Sequence, residues 1–312
     1  MMASSAPRSR LAALMTAMIT PFDDDDRLDV AEVERLATYL VDEGNEALII
    51  SGTTGESPAL DDREKIALVE ATKAAVGERA AVVAGTGGNN TRHSVELTKR
   101  AADAGADAIL AVVPYYNKPT QDGMLLHFGA LAEATSLPLV VYNIPGRTAV
   151  NMLPATLLEL ARRYPSIAGV KESSGDLTQF AAILRDRPAG FRFWCGDDHL
   201  FLPSLALGGD GLISVAAHLC AREYRMLLDA HRRGDNASAA RIHLELAELV
   251  ATLFATTSPI PVKWAMRELG FAVGACRSPL GAMPAGLADR LRPLLEPYRP
   301  RCRAAIASVA AR

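Results

Sequence analysis

A closed (β/α)8 barrel with a C-terminal helical extension is the fold class this sequence predicts, and three observations predict it. Eight short apolar runs recur along the chain, amphipathic stretches of helical period separate them, and the runs cease after about residue 232. A length of 312 residues could hold two domains. An α/β barrel routinely runs this long as one unit, so the repeat of strand and helix decides.

The first run, LAALMTAM (11–18), is read as the first strand. Arg8 and Arg10 ahead of the apolar stretch 11–22 imitate a secretory leader, but no small-residue cleavage site precedes the acidic run 23–26, which is read as a solvated loop. The next runs are ALIIS (47–51), AAVVA (80–84), AILAVV (108–113), LPLVVY (137–142), IAGVK (167–171), FRFWC (191–195) and GLISV (211–215). Helical stretches such as 30–44, 61–77, 91–105, 153–165 and 176–186 lie between them. Several open on Asp or Thr and close at Gly or before Pro, as helix caps and stops require. Three further helices, 237–254, 261–270 and 284–298, follow the last strand. The expected organisation is a barrel over 11–232, a helical region over 233–300, and tails at 1–10 and 301–312.

Lys+Arg number 33 against 36 Asp+Glu, so no basic surplus exists to hold a phosphate backbone, and nucleic acid is not an expected partner. No uncharged apolar run reaches the ~18 residues that a membrane span needs. Four cysteines stand far apart without a CxxC pair, which argues against a zinc or disulfide framework and fits a cytoplasmic protein. The six histidines show no metal-binding spacing, and no metal is expected. Asp197, Asp198 and His199 are read as the cap of a short helix.

In such a barrel the chemistry sits at the C-terminal ends of the strands. Of the 33 basic residues only six are Lys, so each lysine needs a reason. Arg keeps its charge at any working pH, whereas a buried Lys can lose its proton and attack a carbonyl. Lys65, Lys73 and Lys99 fall on helices, Lys118 in a loop, and Lys263 opens a late helix. Lys171 alone ends an apolar strand. Desolvation there is expected to lower its pKa from the usual ~10.4 and to favour a Schiff base; the alternative is a lysine paired with Glu172 or Asp176. Tyr142 and Tyr116 offer hydroxyls for a proton shuttle. Gly52, Thr53, Thr54 and Gly55 offer N–H groups and hydroxyls to a carboxylate-sized anion, and Arg147 offers a planar fork to a second carboxylate. GTGGNN (85–90) lacks the third glycine of a dinucleotide fingerprint and is rejected as one.

GTTGES (52–57), PYYNKP (114–119), YNIPGRT (142–148), GVKESSGD (169–176), CGDD (195–198), GLISV (211–215) and PIPVKWAMRELG (259–270), in this order, resemble the dihydrodipicolinate synthase family. That family belongs to the N-acetylneuraminate lyase superfamily of class I aldolases. The resemblance covers about residues 10 to 297. It implies a lyase of lysine and diaminopimelate biosynthesis, condensing pyruvate with L-aspartate 4-semialdehyde through an imine on Lys171 and without a separate cofactor. It further implies a proton relay of Thr53, Tyr142 and Tyr116, the last reaching in from a neighbouring subunit of a homotetramer. Thr54 would bind the pyruvate carboxylate, Arg147 the semialdehyde carboxylate, and Gly196 and Ile213 would line the pocket. Sialic-acid lyases of the superfamily usually lack this arginine.

There are two departures from the family pattern, Ser258 before PIPVK and His218 after the eighth strand, each in place of a common asparagine. Lys65 and His93 stand at positions where lysine-inhibited relatives hold the effector, and a cation there opposes a cationic ligand, so feedback inhibition by lysine is expected to be weak. Three other readings stay open: another pyruvate aldolase acting on a sugar acid or hydroxy-oxo acid; a phosphate-binding isomerase using the glycines of LGGDGLISV (207–215); and a catalytically silent relative.

Overall fold

The computed structural model describes residues 11–310, with side chains to 307. The tail expectations for 1–10 and 311–312 lie outside the described residues. Eight parallel strands close in chain order into a barrel: β1 (Leu14–Ala17), β2 (Ala47–Ile50), β3 (Ala81–Gly85), β4 (Ala108–Val112), β5 (Leu139–Asn143), β6 (Ile167–Glu172), β7 (Arg192–Cys195) and β8 (Gly211–Ser214). Each coincides with one of the apolar runs. Both faces of such strands are covered, which is why they read as continuous apolar segments and not as alternating ones. β1, β2 and β3 are buried at every position.

The chain divides into two compact units, one holding Ala81–Ile213 with the stretch that ends at Ala13, the other Leu14–Ala80 with Ser214 onward. In the second, β1 and β2 pair in the register Thr16 to Leu48. Helices α1 (Val30–Asp42) and α2 (Asp62–Val76) follow them, and each starts at an aspartate: Asp29 accepts from the Glu32 N–H, and Asp61 and Glu64 cap one another reciprocally. The 23–26 loop before α1 is exposed at Asp24, Asp25 and Asp26, as a solvated loop should be.

The unit of β3 to β8 carries α3 (Thr91–Asp103), α4 (Gln121–Ala134), α5 (Pro145–Thr148), α6 (Pro154–Arg163), α7 (Leu177–Asp186) and α8 (Phe201–Ala206). Asn90, Thr120 and Asp176 cap α3, α4 and α7 through their side chains. Asp197 stands at the N-cap of the 3-10 turn at Asp198–Leu200, as expected, but makes no side-chain bond to it. A polar lattice fixes the exits of β5 and β6. Asn143 donates to Glu172 at 3.1 Å and to Asn151 at 2.7 Å, and Gln179 of α7 exchanges hydrogen bonds with Asn151 at 2.8 and 3.2 Å.

After β8 come α9 (Ala217–Arg232), α10 (Asn236–Leu253), α11 (Ile260–Glu268), α12 (Ala285–Leu294) and α13 (Arg299–Ala310). The last corrects the sequence reading, which made 301–312 a tail. Cys302 is fully buried with its sulfur 3.3 Å from the Tyr39 hydroxyl, and Arg301 pairs with Glu43 at 3.3 Å and Glu223 at 2.9 Å. A helix of weak amphipathic signal is held here by one buried thiol and one ionic clasp, neither of which sequence periodicity reports. His218 is also placed structurally. Its Nδ1 lies 2.8 Å from the Val215 carbonyl and its Nε2 accepts from the Ile19 N–H at 3.1 Å, which requires a neutral ring with the proton on Nδ1. Burial holds its pKa down at about 4.

Candidate active site

Lys171 and Tyr142 are direct cross-strand partners in the register of β6 and β5. Paired residues of neighbouring strands project from the same face of the sheet, so the amine and the phenol are placed together by register alone. The Lys171 Nζ lies 4.2 Å from the centroid of the Tyr142 ring. Both side chains are buried, at 4% and 5% exposure. A nitrogen this close over an aromatic face, on two buried side chains, is a desolvated contact. Among the described residues no carboxylate oxygen is within ion-pair distance of this amine.

The two carboxylates that could have neutralised it are committed elsewhere. Glu172, one residue on, faces away from Lys171 and accepts from Asn143, from the Ser174 N–H at 2.8 Å and from Gln179 at 3.3 Å. Burial pushes its pKa up, and these donors oppose the rise. Asp176 accepts from the Thr178 and Gln179 N–H groups at the start of α7. The paired-lysine alternative therefore fails for both residues. Asp197 is the nearest acid in effect: burial raises its pKa, while His199 and then Lys171 pull it down through charge.

Gly196 has a steric reason to be glycine. A Cβ there would lie 1.9 Å from the Ser173 Oγ, 2.9 Å from the Lys171 Cε and 3.1 Å from its Cγ. The position is therefore filled by the lysine stem and by a serine that the sequence reading missed. Ser173 lies two residues beyond Lys171, so strand period puts it on the same face. Its hydroxyl is buried and unpartnered among the described residues. Ile213, in β8, is buried at 1% exposure.

The exit of β2 belongs to the other compact unit. Residues 52–56 form a tight turn in which the Glu56 N–H donates to the Thr53 carbonyl at 3.1 Å and the Ser57 N–H to that of Gly52 at 3.2 Å. Ser51 and Glu56, at its two ends, hold left-handed backbone with φ of 48° and 57°. Among the described residues, the hydroxyls and N–H groups of Thr53 and Thr54 have no protein partner, which leaves four donors on one short turn.

Arg147 is exposed in α5. Tyr116 is 87% exposed, on a loop where Asn117 donates to the Asn89 carbonyl at 2.9 Å. Within one chain Tyr116 therefore stands in solvent, unlike the buried Lys171. The glycines offered as a phosphate grip, 208, 209 and 211, precede or open β8 and so lie at the end opposite the strand exits. Gly211 is required for close approach, since a Cβ there would lie 1.9 Å from the Ala13 carbonyl oxygen.

The chain matches the model of the Dihydrodipicolinate synthetase family over residues 10–296. A 4-hydroxy-tetrahydrodipicolinate synthase of Moorella thermoacetica is 51% identical over 267 residues, covering 86% of this chain and 91% of that protein. One of Bacillus subtilis is 45% identical over 85% of this chain and 91% of its own. Among solved structures, the dihydrodipicolinate synthase of Aquifex aeolicus superposes with a TM-score of 0.90 at 39% identity, covering 92% of this chain and 98% of that one. A lysine-bound structure from Cyanidioschyzon merolae gives 0.89 at 42% identity, over 90% and 96%. With a register that sets a buried, carboxylate-free lysine on a tyrosine, and with similarity over most of its length, this chain belongs to the dihydrodipicolinate synthetase family.

Proposed function

We propose that this protein is a 4-hydroxy-tetrahydrodipicolinate synthase of lysine and diaminopimelate biosynthesis, joining pyruvate to L-aspartate 4-semialdehyde through an imine on Lys171. The observation that carries this reading is the Lys171 amine, 4% exposed, 4.2 Å from the Tyr142 ring and without a carboxylate partner among the described residues. The names of its relatives support the choice of substrates.

In this scheme the neutral Lys171 amine adds to the keto carbon of pyruvate, and water leaves as the C=N bond forms. Loss of a C3 proton gives the enamine, whose carbon attacks the aldehyde. The amino group of the second substrate then displaces Lys171, which frees the enzyme and closes the ring of the product. Tyr142 and Thr53, with Tyr116 of a second subunit, carry protons between these steps. Thr54 and the adjacent N–H groups take the pyruvate carboxylate, and Arg147 takes that of the semialdehyde. Gly196 and Ile213 line the pocket, and Gly196 leaves the lysine stem its room. No cofactor is required, because the imine is itself the electron sink. The exposed Tyr116 fits a role completed by assembly, and we propose a homotetramer acting in the cytoplasm.

Borohydride reduction in the presence of pyruvate, followed by peptide mass spectrometry, tests the imine. A pyruvate-derived adduct on Lys171 is expected, and none on Lys171→Arg, since guanidinium does not deprotonate in proteins. An adduct with no turnover of aspartate semialdehyde, but turnover of a sugar-acid aldehyde, would reassign the second substrate. No adduct at all would overturn the reading.

A further inference from the structure

Glu56 follows the two threonines by two residues, and its side chain is wholly committed to the helical extension. Its Oε1 takes Lys263 Nζ of α11 at 2.6 Å, and both side chains are 1% exposed. Its Oε2 takes the Arg277 N–H at 2.7 Å. The Arg277 guanidinium then reaches Glu64 at 2.7 and 2.9 Å and the Ala59 carbonyl at 2.9 Å. The Lys263 ammonium and the Arg277 guanidinium both sit over the Phe22 ring, at 4.1 and 3.9 Å. On its other side the turn is held at Gly55, whose carbonyl accepts from the Thr20 hydroxyl at 2.7 Å. A Cβ on Gly55 would come within 3.0 Å of the Met18 carbonyl oxygen.

A buried ion pair adds little stability over a well-packed apolar pair of the same volume, so stability alone does not account for it. What it supplies here is a fixed position. Non-glycine residues in left-handed backbone persist only where their surroundings over-determine them, and Ser51 and Glu56 frame the turn in that conformation. Of the six lysines in this arginine-rich chain, only Lys171 and Lys263 are buried. The first is explained by the imine; the second is not. We propose that Lys263 and Glu56 are positioning residues for the pyruvate carboxylate: their buried ion pair, tied in by Arg277, holds the turn whose Thr53 and Thr54 donors receive that anion. The proposal rests on the synthase reading, because it takes the anion on the turn to be that of pyruvate.

The test compares the parent with Glu56→Gln, Lys263→Met and the paired Glu56→Gln/Lys263→Met, which leaves no unpaired buried charge if either single variant fails to fold. Active sites are counted by borohydride trapping at saturating pyruvate, and kinetics are expressed per trapped site. In the paired variant the KM for pyruvate should rise by at least about tenfold while that for the semialdehyde stays within about twofold. Amide exchange at 52–56 should accelerate by at least about tenfold, with the strands unchanged. A lowered melting temperature with unchanged pyruvate KM and unchanged exchange at 52–56 would assign the pair a purely structural role and overturn the proposal. Absence of the adduct in the parent defeats the synthase reading instead, and exchange at 52–56 then decides by itself whether the pair holds the turn.

Discussion

Gly196→Ala is the smallest change that strikes the lysine proposed to form the imine without touching it chemically. The new methyl would lie 1.9 Å from the Ser173 Oγ and 2.9 Å from the Lys171 Cε, where carbon contacts near 3.5–4.0 Å are normal. Ser173 can escape by rotating χ1 to another staggered well. Lys171 must give way as well, because Cε has to retreat by roughly 1 Å, and that movement carries Nζ off the Tyr142 ring. Overpacking of this kind costs about 1–3 kcal/mol of stability. A misplacement near 1 Å at a reacting group can cost ~10²-fold in rate.

The rate of imine formation, followed by borohydride quenching and intact-mass measurement, should therefore fall by ~10²-fold in Gly196→Ala while the fold persists. Adding Ser173→Ala removes the nearer clash but leaves the one with Cε. The double variant should thus recover part of the melting temperature and little of the rate. Imine formation within about threefold of the parent in folded Gly196→Ala would refute the argument that this glycine makes room for the lysine stem.

Tyr142→Phe keeps the ring under the Lys171 Nζ and removes only the hydroxyl. Turnover should drop by ~10²–10⁴-fold, the range for a positioned proton donor, with the adduct still trappable; unchanged turnover removes the phenol from the relay. Arg147→Ala should raise the KM for the semialdehyde far more than that for pyruvate, and equal effects on both would count against its assignment to the second substrate. His127 and His218 predict a loss of stability in acid, since burial lowers both pKa values from 6.5 to about 4. Both rings are neutral in the folded protein, so the unfolded chain binds protons first. Their contribution is full above pH ~6.5, falls as pH drops toward 4 and is then spent, at about 3 kcal/mol for each ring. His218→Asn should flatten that decline in urea titrations across pH 4–6.5, and an unchanged slope would contradict the neutral, buried assignment.

All eight strands were legible because a parallel barrel buries both faces of each strand and leaves a continuous apolar run. The burial of Lys171 was legible because it ends such a run in a chain whose other cations are mostly arginine. Contacts remote in sequence were not legible. The Lys263–Glu56 pair spans 207 residues and the Tyr39–Cys302 contact 263. Neither leaves a periodic trace, and the second explains why a stretch read as a tail is helix. Ser173 could have been found: it is one strand period beyond Lys171, and position i+2 on a strand returns to the same face.

That period also explains why lysine and glutamate can be neighbours in sequence here without neutralising each other. At the end of β6, Lys171 points to the face it shares with Tyr142, while Glu172 points to the opposite face it shares with Asn143. A free pair in a buried setting would collapse into an ion pair and tie up the amine. The strand keeps them apart, and the donors of Asn143, Gln179 and Ser174 satisfy the carboxylate on its own side. A one-residue slip of β6 against β5 would exchange the two roles, setting a carboxylate on the tyrosine and an unpaired ammonium among amides. The lattice of Asn143, Asn151 and Gln179 therefore guards the register of β6, and through it the side to which the amine of Lys171 is presented.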